Sequence, residues 1–257
     1  MVLHLDHVVV VVHDLAQAIA DYSEAGFTVT PGGEHADGMT HNALIAFADD
    51  SYIELIAFKQ PDQPQSHPWW PRLAHHEGLV DFALISDDLE RDVKVWRGRG
   101  LAVYGPRDGG RQRLDGQTLR WRTALLYDGV KDTPLPFIIQ DVTPHALRVP
   151  SGAATSHALP ITGIQGITIA VRDLSARAHD MERLLGATPQ IITPNQRQFT
   201  IGKQWISIVT ADATPDLLAY TQAVGESPYA IALMNSGSRA KAILPDLTHG
   251  VRIGFVD

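Results

Sequence analysis

The hydrophobic pattern of the chain contains one arrangement three times. Residues 5–15, 79–89 and 164–174 each hold an apolar run followed by Asp-Leu. The apolar run predicts a buried strand, and the aspartate, placed where it can accept hydrogen bonds from the free amides of a first helical turn, predicts a helix start. Self-similarity at this scale indicates a repeated structural unit.

Helical spacing follows each aspartate and ends near a glycine that can adopt the left-handed conformation of a helix C-terminus. The apolar positions, each set with its closing glycine, are Leu15, Ile19, Tyr22 and Gly26; Leu89, Val93, Trp96 and Gly100; and Leu174, Met181, Leu184 and Gly186.

Three short strands are predicted after each helix, which makes each unit a βαβββ module. In the first module the turn-forming Pro31-Gly-Gly33 separates the first two of these strands. The predicted strands are residues 27–30, 43–47 and 52–56; 102–104, 119–127 and 137–140; and 190–193, 198–201 and 205–209. Strands at 229–233 and 251–255, with a short helix at 239–244 between them, suggest a truncated fourth module.

These modules predict an α+β fold with a main domain, a linker and a second group of modules. Modules 1–58 and 77–143 form the main domain, 1–143. Residues 144–160 have the Pro, Ala, Ser and Gly content of a linker. The third module and the truncated fourth occupy 161–257.

Composition excludes several classes of partner. A net charge of −8 and a pI near 5.8 argue against nucleic acid, so the arginine-rich run 107–113 is interpreted as a solvated loop. The longest apolar stretch, 8–12, is too short to cross a membrane. The absence of cysteine fits a reducing compartment. The chain also starts without a secretory pattern, and a cytoplasmic protein is therefore expected.

Leu5-Asp-His7 before an apolar strand and Tyr52-Ile-Glu-Leu on a last strand resemble the vicinal-oxygen-chelate superfamily. Gly38-Met-Thr-His-Asn-Ala-Leu44 and Leu135-Pro-Phe-Ile-Ile139 are similar to its glyoxalase-like domains. The resemblance implies paired modules whose curved, mostly antiparallel mixed sheets enclose a pocket. It also implies a divalent metal held by a first-strand histidine and a last-strand carboxylate, which here are His7 and Glu54.

In the second module the matching positions are Asp81 and Gln140, which depart from the usual ligands but still offer oxygen. Such a set suits Mn²⁺, Mg²⁺ or Fe²⁺ better than a softer ion, although Zn²⁺ and Ni²⁺ also stay open. In the third module Gly166 and Ser207 occupy these positions and cannot serve as ligands.

Several side chains have two interpretations. A carboxylate on an apolar strand needs a partner, so Glu54 is either a metal ligand or acid/base group, or part of a core network with His7 or an arginine. His41, beside Asn42, either reaches the pocket mouth as a catalytic group or ends a surface hairpin.

Trp121, Arg122 and Tyr127 either bind substrate as an aromatic wall with a guanidinium, or simply pack. Asn42 is a further predicted substrate-binding residue. The His- and Trp-rich connector 59–76 is either a lid over the pocket or a loop that covers the core.

The resemblance implies two alternative functions. The first is a metal-dependent lyase, isomerase or dioxygenase that acts on a small oxygen-bearing substrate. The second is a non-catalytic, drug-sequestering binding protein without metal, favoured by the replacement of the second-module ligands. No phosphate loop, dinucleotide fingerprint or hydrolase elbow is present. Unpaired sheet edges favour a homodimer.

Overall fold

The strands of this chain form two sheets in the computed structural model, which describes residues 4–127, 131, 133–237, 243 and 245–257. The first module contains β1 (His4–Val12), α1 (Leu15–Glu24), β2 (Thr30–His35), β3 (Thr40–Ala46) and β4 (Tyr52–Phe58). After α2 (Trp70–Leu73), the second module contains β5 (Gly78–Ile85), α3 (Leu89–Gly98), β6 (Tyr104–Arg113), β7 (Thr118–Leu125) and β8 (Phe137–Asp141).

These two modules close into one eight-stranded barrel in the order β1-β4-β3-β2-β6-β7-β8-β5. Strand β1 runs parallel to β4 and antiparallel to β5, and the β2–β6 pair joins the modules at the other side of the barrel. The expected α+β fold, with curved and mostly antiparallel mixed sheets, is confirmed.

The β2–β6 pair lies where the sequence pattern predicted a turn and a loop. Pro31, Gly32 and Gly33 run within β2, and residues 107–113 run within β6 instead of forming a solvated loop. A Cβ atom on Gly33 would lie 2.0 Å from the carbonyl oxygen of Gln112, and the φ of Gly33 is 144°. Glycine is needed here for close strand approach rather than for a turn.

The rest of the described chain forms a six-stranded open sheet, in the order β10-β11-β12-β9-β13-β14. A short helix, α4 (His145–Arg148), comes first. The other elements are β9 (Ile161–Val171), α5 (Leu174–Leu185), β10 (Gln190–Thr193), β11 (Gln196–Ile201), β12 (Gln204–Thr210), α6 (Pro215–Val224), β13 (Ser227–Asn235) and β14 (Arg252–Val256).

The third module repeats the first, because β9 runs parallel to β12 as β1 does to β4. Of the predicted helix at 239–244, residues 239–242 and 244 lie outside the described residues. Helix α6 was not predicted, although Thr214 before Pro215 has the composition of a helix start and its hydroxyl accepts a bond from the amide of Leu217. The division into domains at 144–160 stays a prediction.

The aspartates of the repeat start their helices as predicted. The carboxylate of Asp14 accepts bonds from the amides of Ala16 and Gln17. Those of Asp88 and Asp173 each accept one bond from the first helical turn. Gly186 ends α5 in the left-handed conformation, with φ 68°.

One large hydrophobic core lies between the outer face of the barrel, its helices and the second sheet. Trp96 of α3 is fully buried in this core, and its indole N–H donates to the carbonyl oxygen of Leu184 on α5 at 2.8 Å. Within the described ranges, no helix is long and apolar enough to cross a bilayer.

Replacing Trp96 by alanine is expected to lower the free energy of unfolding by about 3–5 kcal/mol, because the change opens a cavity between the two sheets. Urea unfolding followed by circular dichroism measures the loss. The neighbouring Val95→Ala, at a side chain that is 37% exposed, serves as the control and should change the stability by less than about 1 kcal/mol. Equal losses in both variants would contradict this account of the core.

Candidate functional site

The interior of the barrel holds a cavity of about 380 Å³. Side chains alternate between the two faces of each strand, so β3, β4, β7 and β8 direct alternate residues into it, and β1 contributes His7. His7, Asn42, Glu54, Trp121 and Ile139 are among the residues that line it.

Glu54 is the buried carboxylate at the centre of the polar side of this cavity. Its Oε1 accepts a bond from Asn42 Nδ2 at 2.5 Å and lies 3.5 Å from His35 Nε2, and its Oε2 lies 3.5 Å from His7 Nε2. Burial alone would raise the pKa of Glu54, but the bond and charge of His35, the charge of His7 and the bond from Asn42 lower it to about 2. Glu54 is therefore ionised at neutral pH.

His7 lies between two carboxylates. Its Nδ1 donates to Asp6 Oδ2 at 2.6 Å, and its Nε2 faces Glu54. Its ring stacks on Tyr52 with 4.5 Å between the ring centres. The Asp6 bond fixes the ring orientation and leaves Nε2 directed at the cavity.

Arg148 of α4 holds Asp6 in place. Its Nη1 and Nη2 donate to the two oxygens of Asp6 at 2.8 and 2.9 Å, its Nε donates to Asp141 at 2.6 Å, and Nη1 also donates to the Tyr52 hydroxyl. Although burial alone would raise the pKa of Asp6, the Arg148 charge and the bonds from Arg148 and His7 hold it well below its usual range. Asp6 is thus a permanent acceptor for His7.

Arg111 of β6 provides a second buried guanidinium beside Glu54. Its side chain lines the cavity, donates through Nη1 to Asn42 Oδ1 at 3.1 Å and through Nη2 to the Arg148 carbonyl oxygen at 3.1 Å. Its Nε is buried and has no hydrogen-bond partner in the part of the chain that the structure describes. Gly32 leaves room for this pair, since a Cβ there would lie 2.1 Å from Asn42 Oδ1.

Aromatic side chains form the opposite wall of the cavity. Trp121 meets His35 edge to face, with 6.0 Å between ring centres. Trp69 and Tyr127 also line the cavity and direct an indole N–H and a hydroxyl to Asp81 at 3.1 and 3.4 Å. Trp69 comes from the connector between the modules, so this segment lines the cavity; its role as a lid stays a prediction.

The four predicted metal ligands do not come together. His7 and Glu54 meet, but Asp81 is fully buried and pairs with Lys131 Nζ at 2.7 Å. Gln140 is on the outer face of β8, where its side chain donates to the Asp87 carbonyl oxygen. Among the described residues no group of three or more His, Cys, Asp or Glu side chains could hold a metal ion. The predicted set does not fit a metal.

The register of β8 places Gln140 outside the cavity. Ile139 lines the cavity, and strand alternation turns the next residue outward. Arg122 is outside for the same reason: it lies opposite Gln140 across β7 and β8 and bonds Glu90 at 2.9 Å.

The side chain of His41 points to the opposite face of β3 from that of Asn42, so it does not line the cavity. It is partly buried on the outer face of β3, where burial lowers its pKa. The interpretation as a surface hairpin residue agrees with this position, and the prediction that it reaches the pocket does not.

Comparison with known families decides the classification. The model of the glyoxalase-like domain matches residues 5–185, which include both modules of the barrel and continue through α5. The chain belongs to the glyoxalase-like family. The resemblance to the vicinal-oxygen-chelate superfamily is thereby confirmed. No curated protein sequence matches the chain.

Solved structures share this glyoxalase-like fold. A hypothetical protein from Staphylococcus aureus is similar over 99% of both chains, with 13% identity and a TM-score of 0.76. A xylose isomerase-like TIM barrel/4-hydroxyphenylpyruvate dioxygenase fusion protein aligns with 90% of this chain and 36% of its own length, at 13% identity and a TM-score of 0.56. A mutant 4-hydroxymandelate synthase from Streptomyces coelicolor aligns with 90% of this chain and 70% of its own, at 11% identity and a TM-score of 0.57.

Sequence reasoning missed four residues of the site. Asp6 lies inside the Leu5-Asp-His7 motif, but no role was predicted for it. Arg111 and His35 lie in segments whose Gly and Pro content resembles loops, and Arg148 lies in the predicted linker. The arginine-rich segment 107–113 carried one signal in its sequence: strand alternation would place Arg111 on the same face as Gly109. In the structure Arg111 is only 4% exposed.

Glu54 predicts a specific acid sensitivity. Its pKa in the folded protein, about 2, lies below the ordinary value of 4.5. It therefore stabilises the fold above about pH 4.5, and this contribution is lost as the pH falls towards 2. The shift corresponds to about 3 kcal/mol. Glu54→Gln should therefore lose less stability than the wild type between pH 7 and pH 2.5 in urea unfolding.

The control for this experiment is Glu24→Gln, at an exposed side chain at the end of α1. It should follow the wild-type pH profile. If Glu54→Gln also follows that profile, Glu54 is not held as an ionised group in the folded protein.

Proposed function

We propose that the barrel cavity is an enzyme active site in which His7 moves a proton on a small, negatively charged, oxygen-bearing molecule. The observation that carries this proposal is the placement of His7, which is 2% exposed, between Asp6 and Glu54 at the cavity wall. A histidine oriented by a buried carboxylate is a common proton-transfer group in enzymes.

The two ring nitrogens of His7 have different roles in this proposal. Nδ1 is committed to Asp6 by a short bond of 2.6 Å. Nε2 is 3.5 Å from Glu54 Oε2, which is too long for a strong hydrogen bond. Nε2 is thus the nitrogen that a substrate proton would reach.

Glu54 supports the charge that forms on His7. A carboxylate with a pKa of about 2 is a weak proton acceptor. Its negative charge stabilises the imidazolium instead. The proton leaves a carbon next to a carbonyl group and binds His7 Nε2, while its electron pair stays on the substrate as an enolate. Return of the proton to the same carbon exchanges the hydrogen, and its return to a neighbouring atom of the enolate completes an isomerisation without a further reactant.

Arg111 supports the assignment of a negatively charged substrate. Its buried Nε has no hydrogen-bond partner among the described residues, and a buried unpaired donor is costly unless a ligand satisfies it. Arginine pairs favourably with carboxylates and enolate oxygens. Asn42 links Arg111 to Glu54, because it bonds both. Trp121 and Tyr127 would contact an apolar or ring-shaped part of the molecule.

A second candidate is a binding protein without catalysis. The predicted ligands Asp81 and Gln140 have other partners, and aromatic groups provide much of the cavity wall. We derive no step through a metal, since the described residues do not assemble the predicted set. The cytoplasmic location and the homodimer expected from the sequence stay predictions.

Proton transfer can be tested by exchange in deuterium oxide. The probes are aliphatic and aromatic 2-oxo carboxylates. The first to be tested is 4-hydroxyphenylpyruvate, because it appears in the name of one structural neighbour. We expect the wild type to replace the hydrogen beside the carbonyl group, as followed by proton nuclear magnetic resonance. His7→Gln should slow this exchange at least about 100-fold, because general base catalysis contributes roughly 10²–10⁴-fold.

The matched control is His41→Gln, since His41 lies outside the cavity and should retain full exchange. Full exchange in His7→Gln would overturn the role of His7. If 2-oxo carboxylates bind the wild type but no exchange exceeds the protein-free rate, the enzyme proposal fails and the binding protein is favoured.

A further inference from the structure

A second cavity, of about 580 Å³, lies between the connector that precedes β5 and the second sheet. Connector residues form one side, and the segments that follow β9 and α6 form the other. Its ionisable lining is strongly basic: Arg72, His75, His76, Lys131, Arg172 and Arg177 line it together with a single carboxylate, Glu226.

The acidic group of this cavity is already satisfied. Glu226 Oε2 accepts from Arg177 Nε at 2.8 Å, and Oε1 accepts from the Arg172 amide at 2.7 Å. Lys131 Nζ pairs with Asp81 at 2.7 Å. These contacts account for two of the basic groups without using Arg72 or the guanidinium of Arg172.

Arg72 and Arg172 have no carboxylate within salt-bridge distance in the part of the chain that the structure describes. Arg72 Nη1 lies 3.4 Å from both Ser227 Oγ and His76 Nε2, and Arg172 Nη2 lies 3.3 Å from the Thr221 carbonyl oxygen. Contacts this long and without a charged acceptor compensate poorly for a partly buried cation such as Arg72. An anion between the two guanidiniums would supply the missing charge.

Two basic groups of this cavity have lowered pKa values. Burial lowers the pKa of Arg72, although Tyr220 and the charge of Asp81 act in the opposite direction. Burial and the charge of Arg72 also lower the pKa of His76. Both groups would gain from a bound anion, because opposite charge favours their protonated forms.

We propose that this cavity is a binding site for a phosphoryl group, either as inorganic phosphate or pyrophosphate or as part of a small phosphate ester. Two guanidiniums from opposite walls suit a tetrahedral oxyanion, which arginine binds through paired N–H donors. The proposal is independent of the barrel site, because it uses other residues. Pro68 of the connector lines both cavities.

The test is calorimetric titration of the full chain with inorganic pyrophosphate and with glycerol phosphate at constant ionic strength. We expect saturable binding of one equivalent of at least one of them. Arg72→Gln and Arg172→Gln should each weaken it at least 10-fold. Binding of pyrophosphate alone would identify the free ion as the ligand, and binding of glycerol phosphate alone would identify an ester.

Two control variants distinguish binding in this cavity from binding elsewhere on the protein. Arg120→Gln changes the net charge by the same amount at an exposed side chain on β7, and should keep wild-type affinity. His7→Gln should also keep it, because His7 lies in the barrel cavity. Arg172 is exposed, so its variant is expected to fold even where Arg72→Gln does not, and circular dichroism checks both. The proposal would be overturned if neither probe bound, or if Arg120→Gln and Arg172→Gln lost affinity equally.

Discussion

The buried guanidinium of Arg148 is the interaction on which the geometry of the barrel cavity depends. It bonds both oxygens of Asp6 on β1, the carboxylate of Asp141 on β8 and the hydroxyl of Tyr52 on β4. Removing one member of such a buried pair costs about 3–5 kcal/mol, because a charge is left without compensation. His7 is oriented through this group, since Asp6 accepts from His7 while it is held by Arg148. Arg148 therefore contributes both to the orientation of His7 and to the ionised state of Asp6.

The fold could be predicted from the sequence because its signals are local. An apolar run, an aspartate and helical spacing lie close together along the chain in each module, and Asp14, Asp88 and Asp173 start their helices as expected. The closure of the barrel was not visible locally. It depends on β2 and β6, where glycines that indicate a turn in an isolated segment instead allow two backbones to approach.

The site was predicted less completely because its charges come from distant segments. His7, Glu54 and Asn42 lie on strongly patterned strands and were found. Arg148 enters from 142 residues away to bond Asp6, and no local pattern records such a pairing. Gln140 shows the other source of error: a shift of one residue along a strand exchanges the inner and outer faces, so a ligand assigned by alignment can lie outside the barrel.

Comparison of the repeated modules explains why the site belongs to the first pair. His7 lies opposite Tyr52 in the β1–β4 pair, and Gly166 lies opposite Trp205 in the equivalent β9–β12 pair. A Cβ on Gly166 would lie 2.2 Å from the Trp205 indole. The indole thus fills the space that the His7 side chain takes in the barrel. Because Ser207 replaces Glu54 on the adjoining strand, the third module has packing and hydrogen bonding where the first has ionisable groups, and proton-transfer chemistry of the kind proposed has no counterpart there.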